Sequence, residues 1–279
     1  MDELNFLRKK TGMTIGRAWM LMVSCVIIFL FGSGVIGVIA GIAGYNHIQQ
    51  NGFLEKGVLV LMALILMISS LWGFFINKKQ LPFFNKQPLS ITLSCLAIAL
   101  AWSFISPLIV DFLPFDETAA DGFERIGMDF ILGIAVTILF TFLQIGVVGH
   151  GLLKNYLFKQ VILTVAAVSI VMVIPQAVIG LVFQTLIMFY IYYRTASFQL
   201  PLIMTATYSI VEDSFKWRLG GNIVTKNYIR LHLTPNDNIY YVGLLIAFCV
   251  ILAGLYFIKQ QTTPISWQRP EEDEDIALL

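Results

Sequence analysis

The chain has 279 residues, of which 58% are hydrophobic and 13% charged, and its mean hydropathy is +0.81. A soluble domain carries about 25% charged residues, so this composition indicates an integral membrane protein and excludes an ordinary water-soluble enzyme. The formal net charge of +1 averages a basic N-terminus against an acidic C-terminus, which leaves no footprint for nucleic acid.

A membrane-spanning helix needs about 20 apolar residues to cross about 30 Å of hydrocarbon. In chain order, Ala18–Gly44, Gly57–Ile76, Pro88–Val110 and Phe130–Leu153 meet that length, and Tyr240–Ile258 does so near the C-terminus. The first run is uncharged and too long for a signal-peptide core of about 7–15 residues, so it is expected to remain as an anchor. Within it Ser33, Gly37 and Gly41 form an i+4 ladder, which predicts close helix packing. The uncharged stretch Val161–Tyr193 would make a helix of about 50 Å at 1.5 Å per residue, too long for one crossing. Pro175 and Gln176 near its middle divide it into helices over 161–175 and 177–193. A more polar segment, Thr195–Val211, supplies a seventh helix. The expected fold is therefore an all-α, polytopic membrane bundle of about eight transmembrane helices.

Positive charge gives an orientation. Arg8, Lys9, Lys10 and Arg17 precede the first run, Lys78, Lys79 and Lys86 fill the second connection, and Lys154 and Lys159 the fourth. The N-terminus is thus expected in the cytoplasm. Lys216, Arg218, Lys226 and Arg230 in the connection 212–238 conflict with its external placement in an eight-span count, and a single crossing by 161–193 would put that connection inside. The third connection carries Asp116, Glu117, Asp121 and Glu124 and predicts an acidic external loop, a candidate surface for a partner. The tail after residue 262 contains an acidic block that predicts disorder.

Polar groups inside the spans are few. Gln144, His150, Gln176 and Gln184 stand in the middle helices, and Thr205, Ser209 and Glu212, at i, i+4 and i+7, form one stripe on the seventh. Such a stripe should face the bundle, since lipid satisfies no hydrogen bond. Gln144, His150, Gln176, Thr205, Ser209 and Glu212 are the candidates for a polar cavity. His150 and Gln144 lie about 120° apart around their helix axis, so the pair makes no site alone. The spans hold one histidine and no pair of carboxylates, and the chain has no glycine-rich phosphate loop and no His-Glu-x-x-His. Cys25, Cys95 and Cys249 lie in apolar runs and predict neither disulfide nor zinc site.

The segment "YYRTASFQLPLIMTATYS" resembles the third motif of the CPBP family, the CAAX-protease and bacteriocin-processing (Abi) intramembrane proteins, in which Arg-Thr-x-Ser and an apolar Leu-Pro precede a His with an Asn or Asp four residues on. "GHGLLKNYLFK" is similar to the end of that family's first motif, where a Glu-Glu pair precedes Phe-Arg-Gly-Leu-Leu. The resemblance spans about residues 128–218. It implies a water-activating site of Glu and His residues with a metal, zinc for example, in a bacterial cell membrane. In this chain Ile145 and Gly146 stand where it implies the Glu pair, His150 where it implies the Arg, and Thr205 and Ser209 where it implies His and Asn; no histidine occurs between about Val168 and Gln176 for the second motif. The resemblance thus implies a degenerate member, with no confident catalytic residue and no cofactor, organised as helices 1–3 with the acidic loop (1–127), a family-like core (128–218), a connection and last span (219–262) and the tail (263–279). Three functions remain open: a scaffold, regulator or immunity-type protein that binds another membrane or cell-envelope protein, an active metal-dependent intramembrane endopeptidase, and a small-molecule or peptide transporter.

Overall fold

A computed structural model of the chain describes residues 12–43, 53–108, 128–171, 178–219, 229–230, 236–263 and 267. Among these, eight helices follow in the order predicted: α1 (Ile15–Ala43), α2 (Phe53–Ile76), α3 (Leu89–Ile105), α4 (Met128–Leu153), α5 (Phe158–Val171), α6 (Val178–Thr195), α7 (Gln199–Leu219) and α8 (Asp237–Gln261). Four stretches, Ile15–Ile42, Lys56–Ile76, Phe130–Leu153 and Asp237–Gln261, are long and apolar enough to cross a membrane, and Leu89–Ile105 and Phe158–Ile170 are shorter apolar helices. The protein is thus an all-helical bundle with several span-capable helices.

Local chemistry moves several boundaries from their predicted positions. α7 starts at Gln199 rather than Thr195, because the chain between α6 and α7 pairs instead with the α2–α3 connection through an antiparallel bridge, Phe84 to Ser197. Pro201 then falls in the first turn of α7, where its missing N–H breaks no helical bond. α8 begins earlier than predicted, at Asp237, since the Asn236 side chain accepts from the Asn238 N–H at 2.9 Å and caps the helix.

Helix α4 is the hub. Some 56% of its apolar window is buried, against 11%, 28% and 17% for the other three span-capable helices. It touches α2, α5, α6 and α7, while α3 lies between α7 and α8, and α1 packs on α2 and α5. The outward faces of α1, α2 and α8 carry exposed Phe31, Ile42, Leu71, Phe75, Leu245 and Tyr256, as lipid contact requires. The Ser33–Gly37–Gly41 ladder belongs to that outer surface: a Cβ at Gly37 or Gly41 would meet nothing within 4 Å. α1 meets α2 one residue earlier, where a Cβ on Gly32 would approach Leu61 Cδ2 to 2.7 Å. The predicted close packing of the ladder is therefore absent within the described chain, because Gly32, Ile36 and Ala40 hold the inner stripe.

In the middle of α4 the helix widens. Phe142–Gly149 is a π-helix, and His150 N–H donates to the Ile145 carbonyl five residues back. Two glycines accommodate neighbouring rings: a Cβ at Gly146 would lie 3.2 Å from Phe198 Cζ, and one at Gly149 2.5 Å from Phe189 Cε2. Asn77 Nδ2 donates to the Val147 carbonyl at 2.8 Å, which supplies one oxygen of the widened turn with a partner from outside the helix.

Candidate functional site

The buried polar residues of the core form three local contacts along α4. At the first, Thr141 Oγ1 and Thr205 Oγ1 are 3.0 Å apart, and Thr205 Oγ1 also lies 3.2 Å from Met188 Sδ. This contact joins α4, α6 and α7. Thr205 is fully buried and Ser209 nearly so, and α4 packs on α7. The hydroxyl stripe on α7 therefore points into the bundle, as its spacing predicts. Thr207, off that stripe, bonds its own helix, donating to the Ile203 carbonyl at 2.8 Å.

At the second contact, the Gln144 amide donates to Ser169 Oγ of α5 and to Thr185 Oγ1 of α6, the latter at 3.0 Å. Gln144 Oε1 is buried without a partner. The third contact surrounds His150, which is fully buried. Its Nδ1 lies 2.8 Å from Tyr192 Oη of α6, and Nε2 has no hydrogen-bond partner. Phe83 meets the imidazole edge-on at 4.9 Å between ring centres, and Trp267 at 6.0 Å. Tyr192 Oη also accepts from the Phe83 N–H at 3.3 Å. Lys154 is engaged by Gln80. His150 is thus held by its Tyr192 contact and by aromatic neighbours.

The Arg-Thr-x-Ser segment has structural duties. Arg194 Nη2 donates to the carbonyls of Lys259, at 2.7 Å, and Thr262, and its Nε donates to Thr262 Oγ1 at 3.1 Å. The guanidinium therefore binds the last carbonyls of α8, a position that favours a cation. Thr195 Oγ1 donates to Ile191 O at 2.8 Å and accepts from Ser197 N–H at 3.3 Å, while Phe198 N–H donates to Phe83 O at 2.8 Å.

Of the positions to which the resemblance points, Ile145 is fully buried, Gly146 lies against Phe198, and His150 sits in its aromatic box. A shallow groove, with room for little more than a water molecule, lies between α3, α6 and α7 and is lined by Ala99, Trp102, Gln184, Ile187, Met188, Met204 and Tyr208. Neither Gln144, His150, Thr205 nor Ser209 lines it. Glu212 is half-buried on α7. Gln176 and the loop acids Asp116, Glu117, Asp121 and Glu124 lie outside the described residues, as do the acids of the tail.

Sequence reading missed Thr141, Ser169, Thr185, Tyr192 and Trp267. The hydroxyls on α4 to α6 carried a usable signal, since each interrupts an apolar run. Trp267, a lone indole in a polar tail, carried none. Among the described residues no three of His, Cys, Asp and Glu come together in a way that could hold a metal ion, and Cys25, Cys95 and Cys249 are free thiols. Compared with protein-family models, with curated proteins and with solved structures, the chain finds no match in any of the three.

Proposed function

We propose that this is a non-catalytic multi-pass membrane protein that acts by binding another membrane or cell-envelope protein, as a scaffold, regulator or immunity-type factor. One observation carries the reading: the positions where an intramembrane protease of the CPBP type would hold its water-activating groups are filled by packing. Ile145 and Gly146 are closed over by side chains, and Thr205 is satisfied by Thr141. The family kinship is itself part of the proposal, supported by the segment Arg194–Ser209 and by the packing of α4 on α7.

Eight spans with a cytoplasmic N-terminus complete the reading. Gly12, Lys78, Lys79, Lys86, Lys154 and Lys259 lie at the end of the bundle where α2, α4, α6 and α8 finish, and the basic residues there favour the cytoplasmic side. The acidic connection 111–129 then faces outward and offers its carboxylates to a basic partner, attracting it over about 8 Å at physiological salt. Affinity capture from detergent-solubilised membranes tests this. Wild-type protein retains a partner, and neutralising Asp116, Glu117, Asp121 and Glu124 together lowers that retention at matched expression. If the neutralised loop behaves as wild type while Thr205→Ala with Ser209→Ala abolishes function, the core and not the loop is the working part.

A second reading, a working metal-dependent endopeptidase, is favoured by the unpartnered Nε2 of His150. Stoichiometric zinc or cobalt in purified protein, lost in His150→Ala, would establish it over the first.

A further inference from the structure

Helix α2 stops at Ile76 and is followed by two successive left-handed residues, both of them lysines: φ is +56° at Lys78 and +60° at Lys79. Glycine closes a helix this way without strain, because a Cβ in that conformation crowds the backbone. The turn is nevertheless held. Lys78 N–H donates to the Phe75 carbonyl and Lys79 N–H to the Phe74 carbonyl, each at 3.0 Å, and the buried Asn77 before them is tied to α4 through the Val147 carbonyl. A strained backbone retained by its surroundings points to a task for the side chains it carries.

Those side chains stand beside a third cation. Arg17 Nη1 donates to the Gly12 carbonyl at 2.7 Å, and Gly12 lies against the end of α2, where a Cβ on it would come 3.6 Å from the Ile76 carbonyl oxygen. Arg17, Lys78 and Lys79 are all exposed, and among the described residues no carboxylate pairs with any of them. An apolar stripe leads away from them. Leu64, Ile68, Leu71 and Phe75 are exposed at steps of four, three and four residues, so they share one face of α2. Lys79 extends that face, with its Nζ 6.0 Å from the Phe75 ring centre. From Leu64 to Phe75 the stripe rises about 16 Å, close to the hydrocarbon depth of one leaflet, half of about 30 Å.

We propose that this corner of the bundle binds one anionic phospholipid, its phosphate held by Arg17, Lys78 and Lys79 and an acyl chain lying along the stripe. The cations complement a headgroup and the stripe complements a chain, and the two meet at Lys79 as headgroup and chain meet in a lipid. Such a site is independent of which external protein the acidic loop binds and of the side of the membrane on which it lies.

Native mass spectrometry of the protein in neutral detergent, titrated with dioleoyl phosphatidylglycerol or dioleoyl phosphatidylcholine, tests it. Wild type prefers phosphatidylglycerol for the first bound lipid by about tenfold or more. Lys79→Gln weakens that binding about fivefold, the pair Lys78→Gly with Lys79→Gly roughly 25-fold, and Lys79→Arg by no more than about twofold. The glycine pair relieves both left-handed positions and melts no lower than wild type, so its lost preference is not a loss of fold. Lys56→Gln, the same change of charge at the other end of α2, keeps the preference. Phosphatidylglycerol raises the melting temperature of wild type, whereas inorganic phosphate at equal concentration, with the charge and no chain, does not. The site is refuted if wild type takes both lipids alike, if the glycine pair keeps the preference or melts below wild type, or if Lys56→Gln lowers it as far as Lys79→Gln. A phosphate effect equal to that of phosphatidylglycerol would overturn the lipid assignment.

Discussion

At the scale of single residues, the core is governed by close approach and by a few bonds between helices. Gly149 illustrates the first. Its would-be Cβ lies 2.5 Å from Phe189 Cε2 and 3.3 Å from the Gln144 carbonyl oxygen, and Phe189 is itself stacked on Phe158 at 5.9 Å. Gly149→Ala should therefore destabilise the protein by about 1–3 kcal/mol, as overpacked cores do, whereas Gly37→Ala, with nothing within 4 Å, should leave the melting temperature in detergent unchanged or slightly raised. Tyr192 illustrates the second. Tyr192→Phe keeps the ring but withdraws one oxygen from both His150 Nδ1 and the Phe83 N–H, and burying these groups unsatisfied should cost about 1–3 kcal/mol in a denaturation series. The Thr141–Thr205 contact is a milder case. A double-mutant cycle through Thr141→Ala and Thr205→Ala should return a coupling of about 0.6 kcal/mol, the average for interhelical bonds in a membrane bundle.

Helices show why part of the structure was legible in the sequence. The apolar runs are strong signals because a segment in lipid must satisfy its own backbone bonds, and helices appear over each of them in order among the described residues. The inward direction of Thr205 and Ser209 was legible too, from i+4 spacing and the absence of hydrogen-bond partners in lipid. What the spacing left open is which neighbour each face meets. Ser33, Gly37 and Gly41 make a ladder as regular as the packed Gly32–Ile36–Ala40 stripe beside it, and only the position of α2 decides between them. Capping by a distant residue is equally silent. Arg194 stands far from α8 in sequence yet binds the carbonyls of Lys259 and Thr262, so Arg194→Gln should fray the end of α8. Trypsin should then cut after the exposed Lys259 roughly tenfold faster, since a bond to a charged donor contributes about 1.5–3 kcal/mol.

Considered whole, the bundle has two ends. At one, the connections 77–88, 154–157 and 196–198 and the segments before α1 and after α8 are bonded to one another: Asn155 Nδ2 donates to Met13 O at 2.7 Å, Ile15 N–H to Tyr156 Oη at 3.4 Å, and Arg194 holds Thr262. Both ends of the described chain thus meet the bundle at the same end. Proposed as the cytoplasmic side, this end gives a direct measurement. Lys79→Cys should react with a membrane-impermeant maleimide only after cells are permeabilised, while Lys56→Cys and Arg230→Cys should react in intact cells. Labelling of Arg230→Cys from the inside alone would reduce the number of crossings and move the basic residues of 212–238 to the cytoplasm.

The widened stretch of α4 has a consequence for chain length. A π-turn holds one more residue than the α-turn it replaces, so Phe142–Gly149 behaves as an insertion absorbed without a loop. Deleting a single residue there would let the helix close to ordinary pitch with the residues after it near the faces they hold now, whereas the same deletion in an ordinary α-turn would rotate one side of the helix against the other by about 100°. A deletion in the α-helical part before Phe142 would thus turn His150 away from Tyr192, and the glycines that admit Phe198 and Phe189 would no longer face those rings. The helix on which four others pack therefore has one stretch where its count of residues can change by one without moving the faces beyond it, and outside that stretch the length of the sequence is as much a determinant of the fold as its letters.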